Sequence, residues 1–298
     1  MTRPTSGPSL RSRKPDLVAQ LGACDCHCHI FGPSDVFPYA PERDYTPPDA
    51  PLEDYLRLLD ALGLERTVIV QPSVYGTDNA CTEDAVRRMN GRARGVAVVS
   101  AGVGEDELAR LSDAGFRGLR FNLMHTGGSA PLDALEVLAA KVAPLAWHVQ
   151  IYLHGRLLPD LLPRLKMLPV DLVVDHMGHF EAGRGPAQPG FQALLQLMER
   201  GRCWLKLCPY RFDLTGPPYI EAQALARVLN DVAPEHLLWG TDWPHPNTAG
   251  TEPEAVGAMP DDADLLDALG VWFEDSATIE RILVVNPAKL YGFGPRGV

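Results

Sequence analysis

Residues 24–29 read CDCHCH and place three cysteines and two histidines within six positions. Side chains of a β-strand alternate between its two faces, so one face of this segment would carry acid and imidazole groups and the other only thiols. The two faces would hold Asp25, His27 and His29 on one side and Cys24, Cys26 and Cys28 on the other. Imidazoles and a carboxylate can ligate a metal or transfer protons, whereas small thiols pack well. The spacing therefore predicts a working histidine face and a cysteine face that packs outward against helices.

Seven further short apolar runs follow, with helix-like amphipathic segments between them. With the first strand at 22–30, the runs lie at 67–73, 95–101, 117–123, 148–154, 171–177, 203–209 and 237–244. The helical patterns include 51–63, 105–115, 132–147, 190–201 and 275–292. Eight strand-then-helix units in 298 residues predict a (β/α)8 barrel. A doubly wound sheet is the alternative, but no G-x-G-x-x-G follows the first strand.

The domain organisation predicted from this pattern is simple. Residues 22–298 form one barrel domain, preceded by a polar, basic and flexible segment at 1–21. Two irregular stretches, 31–50 and 244–262, each follow a strand, so both are expected to cover the barrel mouth.

Composition narrows the classes of partner and compartment. The net charge of −11 and the pI near 5.3 argue against nucleic acid and anionic membranes. The six cysteines do not read as a disulfide framework, which favours free buried thiols in a reducing compartment. The sequence contains no secretory h-region and no run of about 18 apolar residues. A cytoplasmic protein is expected, and a homo-oligomer is compatible with the sequence.

Polar side chains occur where the predicted strands end, which is where barrel enzymes place their active sites. They are His27, His29, Gln71, Ser73, Arg120, Asn122, Tyr152, His154, Asp175, His176, Lys206, Arg211, Asp242 and His245. A single histidine of this kind usually packs in a core, but histidines on strands one, five and six with an aspartate on strand eight form a set. Such a set suits zinc or a similar divalent ion with one position left open. Lys206 could bind an anion or pair with an acid.

Several segments resemble the amidohydrolase superfamily, and more closely its lactonase branch. They are DCHCHIFGPSDVFPYAPERDYTP, QPSVYGTDN, WHVQIY, VVDHMG, LWGTDWPHPN and VVNPAKLYGF, spread from about residue 22 to 292. This branch holds lactonases that open 2-pyrone-4,6-dicarboxylate, sulfomuconolactone hydrolases and galactarolactone isomerases. The resemblance implies a distorted (β/α)8 TIM-like barrel and hydrolysis of a carboxylated lactone from aromatic-compound catabolism.

The resemblance also implies roles for individual residues. Asp242 matches the general base that activates water, and His27, His29 and His176 match histidines around the reacting carbonyl, which makes Asp242 and His176 the catalytic candidates. The implied substrate-binding residues are Tyr45, Ser73, Asn79, Arg120, Tyr152, Arg211 and His179. The planar guanidinium of arginine suits a substrate carboxylate.

Two departures from the pyrone lactonase pattern affect the substrate and the cofactor. Thr126 and His179 stand near positions where that pattern has arginines, so the sequence does not decide which second acidic group the substrate carries. His154 stands where that pattern has an acidic residue and no metal is used. Metal-bearing relatives have histidine there, although the carbamylated lysine of dinuclear relatives is absent. The predicted ligands of one divalent ion, expected to be Zn²⁺, are His27, His29, His154, His176 and Asp242. Metal-independent catalysis is the alternative.

The predicted function is therefore hydrolysis of a small anionic lactone by water attack assisted by Asp242. A lactone isomerase and a metal-dependent decarboxylase of the same superfamily are the enzymatic alternatives. A noncatalytic small-molecule-binding barrel is the alternative outside enzymes. No G-x-S-x-G motif supports a serine hydrolase.

Overall fold

Eight parallel strands form the centre of the molecule in the computed structural model, which describes residues 3–4, 13–124, 130–211, 213, 215–246 and 259–294. They are β1 Cys24–Cys28, β2 Arg66–Val70, β3 Ala93–Ala97, β4 Phe116–Asn122, β5 His148–Tyr152, β6 Leu172–Val174, β7 Cys203–Leu207 and β8 Leu237–Trp239. Each strand pairs in parallel with the next one along the chain. A parallel bridge between Cys28 and Trp243 joins the last strand region to the first. The predicted (β/α)8 TIM-like barrel is confirmed.

Helices surround this barrel and alternate with its strands. They are α1 Leu52–Leu62, α2 Ala80–Arg88, α3 Glu105–Asp113, α4 Leu135–Val142, α5 Leu158–Leu165, α6 Pro189–Met198, α7 Ile220–Val232, α8 Asp262–Trp272, α9 Ser276–Glu280 and α10 Asn286–Tyr291. A π-helical turn, Arg281–Val285, joins the last two. In α1 the buried residues are spaced three and four apart, as expected for a helix with one face on a core. It ends at Gly63, whose φ of 71° suits a residue without a Cβ.

The predicted alternation along β1 is wrong, because the strand contains a bulge. Its pairing with β2 shifts register between Asp25 and Cys28, so one extra residue stands on β1 there. Asp25 consequently points outward and accepts a hydrogen bond of 2.8 Å from the hydroxyl of Tyr55 on α1. Cys28 lies with the outer core between strands and helices. The bulge lets His27 face the barrel interior although Asp25, two residues earlier, faces the helices.

The other two cysteines of β1 also contradict the prediction. Cys24 and Cys26 lie in a small apolar cluster inside the barrel, together with Val68, Val70 and Trp204. Tyr291 and Phe293, from the end of the described chain, complete this cluster. Apolar packing therefore fills the end of the barrel where the strands begin, and polar side chains are left for the end where the strands finish. All six cysteines are buried and free.

Part of the predicted N-terminal segment contacts the barrel. Arg13 forms an ion pair with Asp264 at 2.6 Å and another with Asp267 at 2.5 Å. The backbone of Arg3–Pro4 pairs with Tyr45–Thr46. The division into a flexible segment and one barrel domain stays a prediction. In the described ranges no helix is long and apolar enough to cross a membrane.

The structure describes one of the two segments predicted to cover the barrel mouth completely and the other only in part. Within 31–50, Phe31 and Ala50 form an antiparallel bridge that ties the two ends of the segment together. Of the stretch 244–262, residues 247–258 lie outside the described residues, as does Thr126.

Candidate active site

Four predicted residues from three strand ends meet in one buried cluster. The carboxylate oxygen Oδ1 of Asp242 lies 3.6 Å from Nε2 of His27 and 3.4 Å from Nε2 of His29. The other oxygen, Oδ2, lies 3.9 Å from Nε2 of His176. All four side chains are at most 4% exposed. Backbone hydrogen bonds of 2.7 Å fix this arrangement, from Asp242 N to the His27 carbonyl and from His29 N to the Trp243 carbonyl.

The tautomer of His29 follows from its surroundings. Its Nδ1 lies 2.7 Å from the carbonyl oxygen of Val70. Because a carbonyl can only accept, Nδ1 must carry the proton and Nε2 must present its lone pair toward Asp242. Burial lowers the pKa of His29 below the usual value for histidine, so the ring is neutral near pH 7.

His27 rests on a buried polar network in the barrel floor. Its Nδ1 lies 3.2 Å from Asp175 Oδ1 and 3.2 Å from Lys206 Nζ. Lys206 also lies 3.3 Å from Asp175 and donates a 2.7 Å hydrogen bond to Gln150. Burial opposes the charge on Asp175, but Lys206 and His27 outweigh it and hold the pKa of that carboxyl well below its usual range. Of the two roles considered for Lys206, pairing with an acid is the one present here.

Asp242 is held as a carboxylate by two neighbours that the sequence places directly after β7. Its Oδ2 accepts 2.6 Å from the Tyr210 hydroxyl and 2.5 Å from Nε of Arg211, whose Nη2 makes a second contact. Burial opposes ionisation, but the Arg211 guanidinium outweighs it and holds the pKa of Asp242 well below its usual range. Oδ1 accepts no hydrogen bond from any described residue. Asp242 thus offers one unused, ionised oxygen to the cluster.

Several site residues adopt left-handed backbone conformations that residues with a Cβ rarely populate. They are His176, Met177, His179, Asp242 and His245, with φ between 47° and 63°. His245 follows β8 and makes a 2.9 Å contact with Asp262 at the start of α8, both side chains being buried. The tertiary structure must impose these conformations, because each is locally unfavourable.

Five of the predicted substrate-binding residues lie close to this cluster. Arg120 donates 3.0 Å to the Gln71 carbonyl, and its buried Nε has no partner among the described residues. Its guanidinium lies 5.7 Å from the ring centre of Tyr152, whose hydroxyl is 3.0 Å from His179 Nε2. Tyr45 and Ser73 are both buried, and burial raises the pKa of Tyr45 to about 12. Arg211, bound to Asp242, is the sixth residue brought to the cluster.

Asn79 and His154 are placed differently from the rest. The Asn79 amide donates to the carbonyls of Thr77 and Val98 and accepts from Val98 N, so it braces the backbone after β3. His154 lies with its ring centre 6.2 Å from that of His179. It belongs to none of the groups of potential ligand atoms described next. The substrate-binding role of Asn79 and the ligand role of His154 stay predictions.

The cluster fits a metal ion by its own chemistry. Among the described residues, three sets of buried side chains bring potential ligand atoms within 4.8 Å of one another. They are His27 with His29 and Asp242, His27 with Asp175 and His176, and His176 with Cys208 and Asp242. In the first set, His29 Nε2 carries a lone pair, and neither His27 Nε2 nor Asp242 Oδ1 has a hydrogen-bond partner in the described chain. Two imidazoles and a carboxylate suit a divalent ion such as zinc.

Sequence reasoning missed several supporting residues. Tyr210 and Gln150 hydrogen-bond to the acids Asp242 and Asp175, and Thr241 donates to Asp25 through both its backbone N–H and its hydroxyl. Tyr210 could have been found as the residue directly before Arg211. Gln150 could have been found as an inward polar residue on an apolar strand.

Comparison with known proteins gives the class. The family model described as Amidohydrolase matches residues 24–293, and the chain belongs to this family. It is 39% identical over 289 residues to a 2-pyrone-4,6-dicarboxylate hydrolase of Comamonas testosteroni, covering 93% of this chain and 92% of that protein. It is 38% identical to a 4-sulfomuconolactone hydrolase of Rhizobium radiobacter, over 97% and 96% of the two chains. A crystal structure from Agrobacterium tumefaciens matches with a TM-score of 0.86 and 33% identity, covering 97% of this chain and all of that one.

Proposed function

We propose that this protein is a hydrolase that opens a small lactone bearing an acidic group, by water attack on the lactone carbonyl. The observation that carries the proposal is the ionised Asp242, whose unused Oδ1 faces His27 and His29 while Arg211 binds its Oδ2. The two relatives named as lactone hydrolases support the same reaction class.

The described side chains account for the proton transfers. Asp242 accepts a proton from the attacking water through Oδ1 and returns it to the ring oxygen that leaves as the lactone opens. His176 lies across the cluster from Oδ1, and burial keeps its pKa well below the usual value, so it acts as a neutral hydrogen-bonding group beside the developing oxyanion. Arg120 binds the substrate carboxylate through its guanidinium.

Arg211 adds a substrate-dependent step. In the structure it neutralises Asp242, which keeps this carboxylate a weak base. An acidic group of the substrate competes for the same guanidinium. Binding of the anion thereby weakens the hold on Asp242 and raises its basicity when water is to be activated.

The residues fit a divalent ion, and His27, His29 and Asp242 would hold it, with His176 next to them. A zinc ion there would act as a Lewis acid on the lactone carbonyl and ease ionisation of the attacking water. Binding, orientation of the carboxylate and return of the proton would remain with the side chains described above.

The test is hydrolysis of 2-pyrone-4,6-dicarboxylate and 4-sulfomuconolactone by purified protein, with the product identified by mass. Addition of one water supports hydrolysis, an unchanged mass indicates an isomerase, and loss of CO2 indicates a decarboxylase. Asp242→Asn should lower kcat by at least about 10³-fold with little change in substrate affinity. Asp60→Asn, at an exposed position of α1, is the matched control. Retention of activity in Asp242→Asn would remove that residue from the role of base.

The cellular setting is part of the same proposal. The expected substrates are anionic lactones from aromatic-compound catabolism, and the expected location is the cytoplasm. The net charge of −11 supports the absence of nucleic-acid and membrane partners.

A further inference from the structure

A cavity of about 490 Å³ lies at the end of the barrel where the strands begin, opposite the catalytic cluster. It opens between the starts of β3 and β4 and the ends of α2 and α3. Its wall contains one acid, Asp113, and four arginines, namely Arg87, Arg94, Arg110 and Arg117. The wall shares no residue with the catalytic cluster, so a ligand bound here would leave that cluster free.

Two of the four arginines already have carboxylate partners. Arg87 pairs with Glu83 at 2.6 Å. Arg110 pairs with Glu83 at 2.8 Å and with Glu107 at 2.8 Å. The charges of these two arginines and two glutamates cancel, so together they contribute little to the electrostatic potential in the cavity.

The other two arginines, Arg94 and Arg117, make no ion pair with any described residue. Burial, together with the nearby charges of Arg117 and Arg66, lowers the pKa of Arg94. Burial also lowers the pKa of Arg117, although the charge of Asp113 opposes this. The wall therefore keeps an excess of positive charge in a chain whose net charge is −11, and an anion bound between the two guanidinium groups would relieve their repulsion.

The guanidinium of Arg117 has an unused hydrogen-bonding edge. Its Nη1 donates 2.9 Å to the Ser112 carbonyl and 2.7 Å to the Phe116 carbonyl, which holds the half-buried side chain in place. Its Nε and Nη2 donate to no described residue. These two nitrogens form the side of the planar group that can bind two oxygens of one anion in parallel.

Arg94 contributes charge rather than hydrogen bonds, because all three of its nitrogens are already in use. Nε donates to the Tyr291 carbonyl at 3.1 Å, and Nη2 donates to the Gly292 carbonyl at 2.9 Å. Nη1 donates to the carbonyls of Gly91 and Ala93 at 3.0 and 2.8 Å. This charge is fixed before a ligand arrives, which lowers the cost of binding.

We propose that this cavity binds a phosphate group, with Arg117 donating two hydrogen bonds and Arg94 supplying a second positive charge. A phosphate group carries about −1.5 to −2 charges at pH 7, which matches two guanidinium groups better than a single carboxylate does. The cavity is larger than one phosphate ion, so the group could belong to the free ion or to a small phosphorylated metabolite. The site is independent of the proposed function, because none of its residues takes part in the lactone reaction.

Calorimetry of the full-length protein at low ionic strength tests the site, with inorganic phosphate, glucose 6-phosphate and acetate as probes. Every titration uses the Arg120→Met background, in which the catalytic cluster has lost a group that could bind anions. Inorganic phosphate should bind with a Kd of about 1 mM, and acetate at least about ten-fold more weakly. Arg117→Gln should raise the Kd for phosphate at least about ten-fold, whereas the control Arg57→Gln, at an exposed position of α1, should leave it unchanged.

The outcomes separate the two sources of phosphate. Tighter binding of glucose 6-phosphate than of inorganic phosphate would assign the cavity to a phosphorylated metabolite, and equal or weaker binding would assign it to the free ion. Equal binding of acetate and phosphate, or an unchanged Kd in Arg117→Gln, would overturn the proposal. These readouts measure binding alone, so they hold whether or not a lactone is hydrolysed.

Two further measurements cover the case in which Arg117→Gln does not fold. Arg117→Lys keeps the charge but loses the parallel pair of hydrogen bonds, so its Kd for phosphate should exceed that of the unsubstituted residue. In the protein without any substitution, phosphate should slow the modification of Arg117 by phenylglyoxal, followed by peptide mass, and should leave the modification of Arg57 unchanged. Equal rates at Arg117 with and without phosphate would contradict binding at this site.

Discussion

Asp25 provides the most demanding test of how the site is held, because its carboxylate joins β1 to the segment after β8. Oδ1 accepts 3.0 Å hydrogen bonds from the backbone nitrogens of His27 and Thr241. Oδ2 accepts from the hydroxyls of Tyr55 at 2.8 Å and Thr241 at 2.6 Å. Burial raises the pKa of Asp25 to about 6 against these bonds, so the group is ionised at pH 7.

Two substitutions at this position should differ sharply. Asp25→Asn keeps one oxygen that can accept from the two backbone N–H groups. The hydroxyl of Tyr55 can then donate to Thr67 and the hydroxyl of Thr241 to the His27 carbonyl, so that both hydroxyl oxygens can accept from the new amide NH2 group. We expect it to lower the free energy of unfolding by about 1 kcal/mol. Asp25→Ala leaves two buried backbone N–H groups without acceptors, which costs about 1–3 kcal/mol each, so a loss of about 3–5 kcal/mol is expected.

The assay is urea unfolding followed by tryptophan fluorescence, with kcat measured in parallel. Asp54→Ala, at a partly exposed acid on α1, is the control and should change stability by less than about 1 kcal/mol. Because Asp25 positions the backbone of both His27 and Thr241, Asp25→Ala should also lower kcat more than Asp25→Asn. Equal losses of stability in the two variants would refute the assignment of Asp25 as the acceptor for these N–H groups.

Three further predictions concern acid stability, substrate binding and metal. His148 is buried, and its pKa is lowered to about 3, against ~6.5 in the unfolded chain. As the pH falls, the unfolded state therefore binds a proton that the folded state does not bind, and the folded state loses stability. This histidine should account for about 2 kcal/mol of the free energy of unfolding that is lost between pH 7 and pH 5. In urea titrations at the two pH values, His148→Gln should therefore lose about 2 kcal/mol less than the wild type. The same loss in both proteins would contradict this assignment. Arg120→Met should raise KM for an anionic lactone about ten-fold with a smaller effect on kcat, and an unchanged KM would exclude Arg120 from carboxylate binding. Elemental analysis of untagged protein should find about one divalent ion per chain, absent from a His27→Ala, His29→Ala double variant; metal retained by that variant would place the ion elsewhere.

Most of the barrel could be predicted from sequence because its strands are short apolar runs in regular alternation with helices. The predicted strand starts agree within two residues for all eight strands, and the predicted ends within five. Helices whose sequences carry conflicting signals were harder to predict. The segment that becomes α5 contains Pro163 in its interior, which normally argues against a helix, and α2 is short and polar. The predicted helix 132–147 is divided into α4 and flanking 3-10 turns, the second of which contains Pro144.

The site was predictable to the extent that strand ends meet in a barrel. His27, His29, His176 and Asp242 come together for that reason alone. The bulge in β1 was not predictable, because a two-residue period assumes a regular register and one extra residue shifts it. The pairing of Lys206 with Asp175 depends on which inward side chains share a level in the barrel, and the strand register decides this.

The left-handed residues around the site have a consequence for engineering. Four of them have positive φ angles that glycine adopts with less strain, namely His176, Met177, His179 and Asp242. Exchange for glycine would relieve this backbone strain, but at the cost of the contacts that each buried side chain makes. Three of those four exchanges would delete a working side chain, while Met177→Gly would cost apolar packing instead. Improvement of thermal tolerance in this barrel should therefore be directed to the outer helices and away from the loops that follow β6 and β8.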